Sequence, residues 1–245
     1  MIDFELSEEQ KQYRDLAREF ARHEIAPVAA RYDQSGEFPW PVVEKAFEVG
    51  LAYGNIPEAY GGAGLNVLAE CLIAEELCWG CAGIAGSLTV SGLLASALVV
   101  AGSEEQKRRY LPELLQERKL ASYALTEPGA GSDAAAITTT ARRCGNDYVL
   151  SGTKSFISLA QEAGYFLVFA KTDPAGGHRG ISAFLVPRET PGLTVGPKDH
   201  KMGQRATDTG QVFFEDVSVG QGQRIGAEGE GFKLAMEVFN RSRPP

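Results

Sequence analysis

The sequence predicts an α+β multidomain chain, with an N-terminal all-α helical domain at 1–119 and an antiparallel β-barrel or sandwich middle domain at 120–228. Residues 229–245 read as the start of a C-terminal helical domain that is cut short. Three observations carry this. Apolar residues recur at helical spacing up to Lys119, short β-rich runs separated by Gly, Asn, Asp or Pro follow, and helical spacing returns at Gly231.

In order, Ser7 with Gln10 forms a capping box, and Tyr13, Leu16, Ala17, Phe20 and Ala21 mark one helical face that runs to Pro27. A second helix starts near Pro41 and stops at Gly50, and Pro57 to Gly64 reads as an irregular turn. Further helices cover about Leu68 to Trp79, the uncharged stretch that follows, and Glu104 to Glu117. The β-rich runs are Tyr123–Thr126, Ile137–Ala141, Tyr148–Ser151, Phe156–Ser158, Tyr165–Lys171, Ile181–Val186 and Val212–Phe214. No helical period lies between them, which favours a closed or sandwiched antiparallel sheet. Gly231 to Arg243 sets Phe232, Ala235, Met236 and Phe239 on one face, with nothing after it to pack against, so the chain reads as a fragment.

Composition excludes several functions. With 24 Lys and Arg against 32 Asp and Glu, the net charge of −8 disfavours nucleic acid. At 44% apolar and 23% charged, the chain can bury a sizeable core. Four cysteines (Cys71, Cys78, Cys81 and Cys144) are too few and too clustered to staple a fold of this size, which points to thiols in a reducing compartment. The acidic opening Met1 to Glu5 lacks a secretory signal, so the expected location is cytoplasmic. Residues 77–103 carry no charge and are long enough to span a membrane. Gly80, Gly83, Gly86 and Gly92, with Ser87, Thr89, Ser91 and Ser96, instead suit a buried helix pair whose backbones approach a neighbour closely, and no stable membrane insertion is expected.

Two motifs have weak contexts. Cys78-Trp79-Gly80-Cys81 has redox spacing but no preceding strand, and His23, His178 and His200 lack metal-ligand spacing. Gly129-Ala130-Gly131-Ser132-Asp133-Ala134 looks like a dinucleotide fingerprint, yet the β-branched Ile137-Thr138-Thr139-Thr140 stands where that fingerprint needs a helix. Its glycines still allow backbone amides and the Thr126 and Ser132 hydroxyls to approach a phosphate or a flat ring. The alternative is an ordinary glycine-rich turn.

The longer string Tyr123-Ala124-Leu125-Thr126-Glu127-Pro128-Gly129-Ala130-Gly131-Ser132-Asp133 resembles the signature segment of the acyl-CoA dehydrogenases. Pro57 to Gly64, Lys154 to Ser158, Met202 to Arg205, Val212 to Val217, and Gly229 to Lys233 leading to Arg243-Pro244 extend the resemblance along the chain in order. It implies helical and middle β domains, a C-terminal four-helix domain absent here, and FAD held between the last two. The cofactor-binding positions it implies are Tyr123, Leu125, Thr126, Gly131, Ser132, Phe156, Ile157 and Ser158, and the substrate-binding positions are Ser132, Asn240 and Arg243. Phe156-Ile157-Ser158 stands where the family has Trp-Ile-Thr, so a phenyl ring covers one flavin face and a serine hydroxyl reaches toward N5.

The implied reaction is α,β-dehydrogenation of an acyl-CoA thioester by an oxidoreductase acting on CH–CH, with electron-transfer flavoprotein as acceptor and a homo-oligomer when complete. The sequence departs from the family at the base. Most members keep a glutamate beyond this chain's end, and a minority keep it at the position of Ser242, which cannot abstract a carbon-bound proton unaided. No catalytic residue is assigned, Glu127 is read as organising backbone, and the chain alone is expected to be inactive. Residues 77–103 would line the acyl tail and offer no cation to a second carboxylate, which favours a neutral acyl group. Ala85, Gly86 and Thr89 leave either a deep pocket or close helix packing; CoA phosphates would meet Arg179, Lys198 or Arg243, if these are not solvated surface charges. Alternatives on the same fold are an acyl-CoA oxidase, a flavin monooxygenase or a non-catalytic partner subunit.

Overall fold

The computed structural model describes residues 5–243; the opening Met1 to Phe4 and the closing Pro244-Pro245 lie outside them. Helix α1 (Glu8–Phe20) carries the expected capping box, with Gln10 N donating to Ser7 Oγ and Ser7 N to Gln10 Oε1. The chain does not stop at Pro27. It passes through a π turn (Ala21–Ile25) and a 3-10 turn (Ala26–Val28) into α2 (Ala29–Ser35), because a proline in a first turn forfeits no hydrogen bond. Helices α3 (Trp40–Glu48), α4 (Val67–Thr89), α5 (Gly92–Ala101) and α6 (Glu104–Gln116) follow, the last with a second capping box from Ser103 and Gln106.

The uncharged stretch is a buried helix pair. Helix α4 is interrupted at Cys81, whose backbone is extended, and α4 meets α5 at a bend of 47°. No single helix among the described residues is long and apolar enough to cross a membrane; the bent pair passes on length and composition only. Gly83 and Gly86 allow the close approach: a Cβ on Gly83 would sit 3.0 Å from Gln204 Cα, and one on Gly86 would sit 3.0 Å from Thr207 Oγ1. Thr207 Oγ1 donates to Gly83 O across this contact, fastening helix to β domain.

The β domain is one curled eight-stranded sheet. Its strands are β1 (Ala121–Ala124), β2 (Thr140–Cys144), β3 (Asp147–Ser158), β4 (Tyr165–Lys171), β5 (Ile181–Pro187), β6 (Leu193–Lys198), β7 (Thr209–Val219) and β8 (Arg224–Ile225), ordered β6-β7-β3-β2-β4-β5-β8 with β1 beside β4. Most pairs are antiparallel, but β1 and β2 both run parallel to β4 and share its edge. Strands β4 and β5 read as unbroken apolar runs because both faces are covered. Tyr165, Leu167 and Phe169 face the helices α5 and α6, while Phe166 and Val168 share a second core with Leu150 and Val217. The two expected strands at 148–151 and 156–158 are halves of β3, joined through Gly152 at φ 152. Helix α7 (Gly231–Ser242) does have a partner. It buries Leu234, Ala235 and Val238 against α5 and the sheet.

Candidate functional site

The glycine-rich loop after β1 and the end of β3 are tied together. Ser122 Oγ donates to Ser158 O at 2.8 Å, and Ser155 N donates to Thr126 O at 2.9 Å. The β3–β7 ladder slips between Lys154 and Ile157, and Phe156 sits in that bulge with φ +57 and 71% of its surface exposed. A bulge re-aims a side chain, and a left-handed backbone costs an aromatic residue about 1–2 kcal/mol. A large ring held outward at that cost marks a surface built to be covered.

Around it the surface is open and supplied with hydroxyls. Thr126, Ser132 and Ser158 each carry a hydroxyl with no hydrogen bond among the described residues, and a Cβ on Gly129 or Gly131 would meet nothing within 4 Å. Reciprocal bonds between Glu127 and Ala130, at 2.9 and 3.1 Å, pinch the loop. After it comes only the 3-10 turn Ala134–Ala136, so no helix dipole faces a pyrophosphate and the dinucleotide-fold reading fails.

Glu127 organises this loop from beneath. Its carboxylate accepts from Thr138 N at 2.6 Å, Thr138 Oγ1 at 2.8 Å, Thr139 N at 2.9 Å and Lys154 Nζ at 2.7 Å. Burial alone would raise its pKa, but the Lys154 ammonium and these donors outweigh burial and hold it well below the ordinary carboxylate range. Lys154, with 0% exposure, also donates to Leu125 O at 3.1 Å. A fully satisfied carboxylate is a poor proton acceptor. The lysine gives no sequence signal beyond its place in the matched string.

The remaining assigned positions divide. Leu125 and Ile157 are buried in the core, so only their backbone can meet a ligand. The Tyr123 ring packs between Phe169 and Phe239, centroids 4.9 and 5.3 Å away, and its hydroxyl is buried without a partner. Asn240 is exposed on α7, and the Arg243 guanidinium lies over the Phe239 ring at 4.4 Å. Lys198 is corrected: its ammonium donates to Gly36 O and Arg205 O, so it fastens the two domains rather than meeting a CoA phosphate. Arg179 is exposed. Cys78 and Cys81 are free thiols, and burial followed by the neighbouring Cys81 raises the Cys78 pKa, against a thiolate role.

Arg243 and Ser242 line a cavity of about 350 Å³ between α4, α5 and α7. Its wall includes Leu88, Thr89, Leu93 and Phe239. The small residues therefore separate by use: Thr89 lines the cavity, while Ala85 lies fully buried in the helical core and Gly86 packs on Thr207. Two polar residues unforeseen from sequence also line it, Glu70 and Asn55.

Comparison with known proteins decides the family. Residues 7–118 match the acyl-CoA dehydrogenase N-terminal domain and residues 122–217 the acyl-CoA dehydrogenase middle domain. The chain belongs to the acyl-CoA dehydrogenase family. It is 42% identical to the short-chain specific acyl-CoA dehydrogenase of Bos taurus over 98% of this chain and 58% of that protein. It is 40% identical to the probable medium-chain specific acyl-CoA dehydrogenase 2 of Caenorhabditis briggsae over 99% of this chain and 60% of that protein. Among solved structures, a chain from the electron transferring flavoprotein of Acidaminococcus fermentans superposes with a TM-score of 0.94 at 39% identity, covering 99% of this chain and 64% of that one. A glutaryl-CoA dehydrogenase from Mycobacterium smegmatis in complex with FADH2 superposes with a TM-score of 0.88 at 30% identity, covering 97% and 60%. This acyl-CoA dehydrogenase chain thus spans about three fifths of the length of the curated relatives it matches.

Proposed function

We propose that this chain supplies the acyl pocket and part of the FAD surface of an enzyme that dehydrogenates acyl-CoA thioesters. The observation that carries the reading is the exposed, strained Phe156 beside the unpartnered hydroxyls of Thr126, Ser132 and Ser158. Phe156 would cover a ring face, and the three hydroxyls with the open glycines would hold the ring edge and diphosphate of FAD. FAD, when bound, supplies the hydride acceptor. The Mycobacterium smegmatis relative with FADH2 supports that cofactor, and the Acidaminococcus fermentans match supports an electron-transferring flavoprotein as redox partner.

The cavity beside Ser242 would take the acyl chain, excluding water and orienting the thioester, and Asn240 and Arg243 would border it. Glu127 is committed to Lys154, and Ser242 cannot accept a proton from carbon without a neighbouring base. The 245 residues alone are therefore read as lacking a competent base and as inactive. Location in the cytoplasm and assembly as a homo-oligomer belong to the same proposal.

The test is to titrate the chain with FAD and then add acyl-CoA and an artificial acceptor. Saturable FAD binding without turnover is expected. Turnover well above a flavin-free control would overturn the missing base, and failure to bind FAD would overturn the cofactor surface.

A further inference from the structure

The cavity wall holds a carboxyl, that of Glu70, which the chain leaves unserved. Asn55, on the same wall, donates through Nδ2 to Gly92 O at 3.1 Å and to Ser96 Oγ at 2.7 Å, which fixes its amide and leaves Oδ1 buried in the protein, out of reach of a guest. Glu70, in the first turn of α4, lines the same cavity, and its carboxyl makes no hydrogen bond or ion pair among the described residues. The rest of the wall is mainly apolar: Leu51, Ile73, Ala74, Leu88 and Leu93. A half-buried carboxyl that receives no donor from the chain, set in such a wall, discriminates in favour of a guest that serves it.

We infer that Glu70 makes this cavity selective for acyl chains bearing a hydroxyl group over plain alkyl chains of the same length. The inference rests on the reading of the cavity as the acyl pocket. A hydroxyl fits both forms of this carboxyl, since it donates to an ionised Glu70 and accepts from a protonated one. Burial pushes the Glu70 carboxyl up to about 7, so both of its forms are present near neutrality.

The experiment is equilibrium dialysis of the 245-residue chain, saturated with FAD, against heptanoyl-CoA and its isostere 6-hydroxyhexanoyl-CoA. The hydroxylated ligand is expected to bind about tenfold tighter, as one well-formed hydrogen bond to a charged or buried acceptor gives. In Glu70→Leu the preference should disappear or reverse, with heptanoyl-CoA binding tighter than to the parent. Should that variant fold poorly, Glu70→Met keeps the length of the side chain without a hydrogen-bonding head, and its preference should likewise disappear. Equal affinities in the parent, with water alone serving the Glu70 carboxyl, would overturn the inference while leaving the acyl pocket standing. Binding of neither ligand would overturn the acyl pocket and the inference together.

Discussion

At Phe156 stability and ligand binding pull in opposite directions. Glycine adopts φ +57 without penalty and the phenyl ring buries little of itself, so Phe156→Gly should raise stability by about 0.5–1 kcal/mol, read as a higher urea midpoint. The Glu127–Lys154 pair behaves otherwise. Lys154→Met leaves a buried carboxylate without its countercharge and should cost about 3–5 kcal/mol in the same assay. None of this was written in the local sequence. The match named Thr126 and Phe156, which the bond from Ser155 N to Thr126 O holds on neighbouring segments, but the positive φ comes from the β3 bulge, and the bulge is a property of register with β7. Glu70 and Asn55 escaped for a related reason, since a polar residue on a helix or in a Gly-Asn turn reads as solvated until the elements around it are placed.

Elements were legible where one period dominated. The Ser7 capping box, the span of α6 and the run Tyr165–Lys171 were readable because local hydrogen bonding or unbroken apolar sequence sets them. Strand β6 was missed because Gly196 and Pro197 sit inside it, and β8 is only two residues long. Parallel pairing of β1 with β4 is a tertiary choice with no local signal. The small residues of α4 were read correctly as a close-approach surface, and that has a measurable consequence. Gly86→Val should press against Thr207 and its bond to Gly83 O, costing about 1–3 kcal/mol by chemical denaturation. A serine-to-alanine change at the exposed Ser132 should leave the midpoint unmoved.

Over the whole molecule, the pH dependence of stability carries the imprint of the cavity. The folded chain holds the Glu70 proton up to about pH 7, whereas the unfolded chain releases it near 4.5, so the folded state binds more protons in between. Stability should therefore fall as pH rises across that window. Asp208, raised to about 6 by burial against the donation it accepts from Gln161 N, adds to the same slope over its lower part. Glu70→Leu should flatten the decline while leaving the Asp208 contribution, as followed by urea midpoints at a series of pH values. The two domains respond as one body because Thr207 with Gly83, Lys198 with Gly36 and Trp40 Nε1 with Glu162 cross between them.

The assignment of a flavin to the Thr126–Phe156 surface is tested most directly by the dissociation constant of FAD for the parent chain and for Phe156→Gly. The geometry predicts binding to the variant weakened about tenfold, the loss of one stacked ring, in a protein at least as stable as its parent. Equal FAD affinity in the two proteins would contradict it.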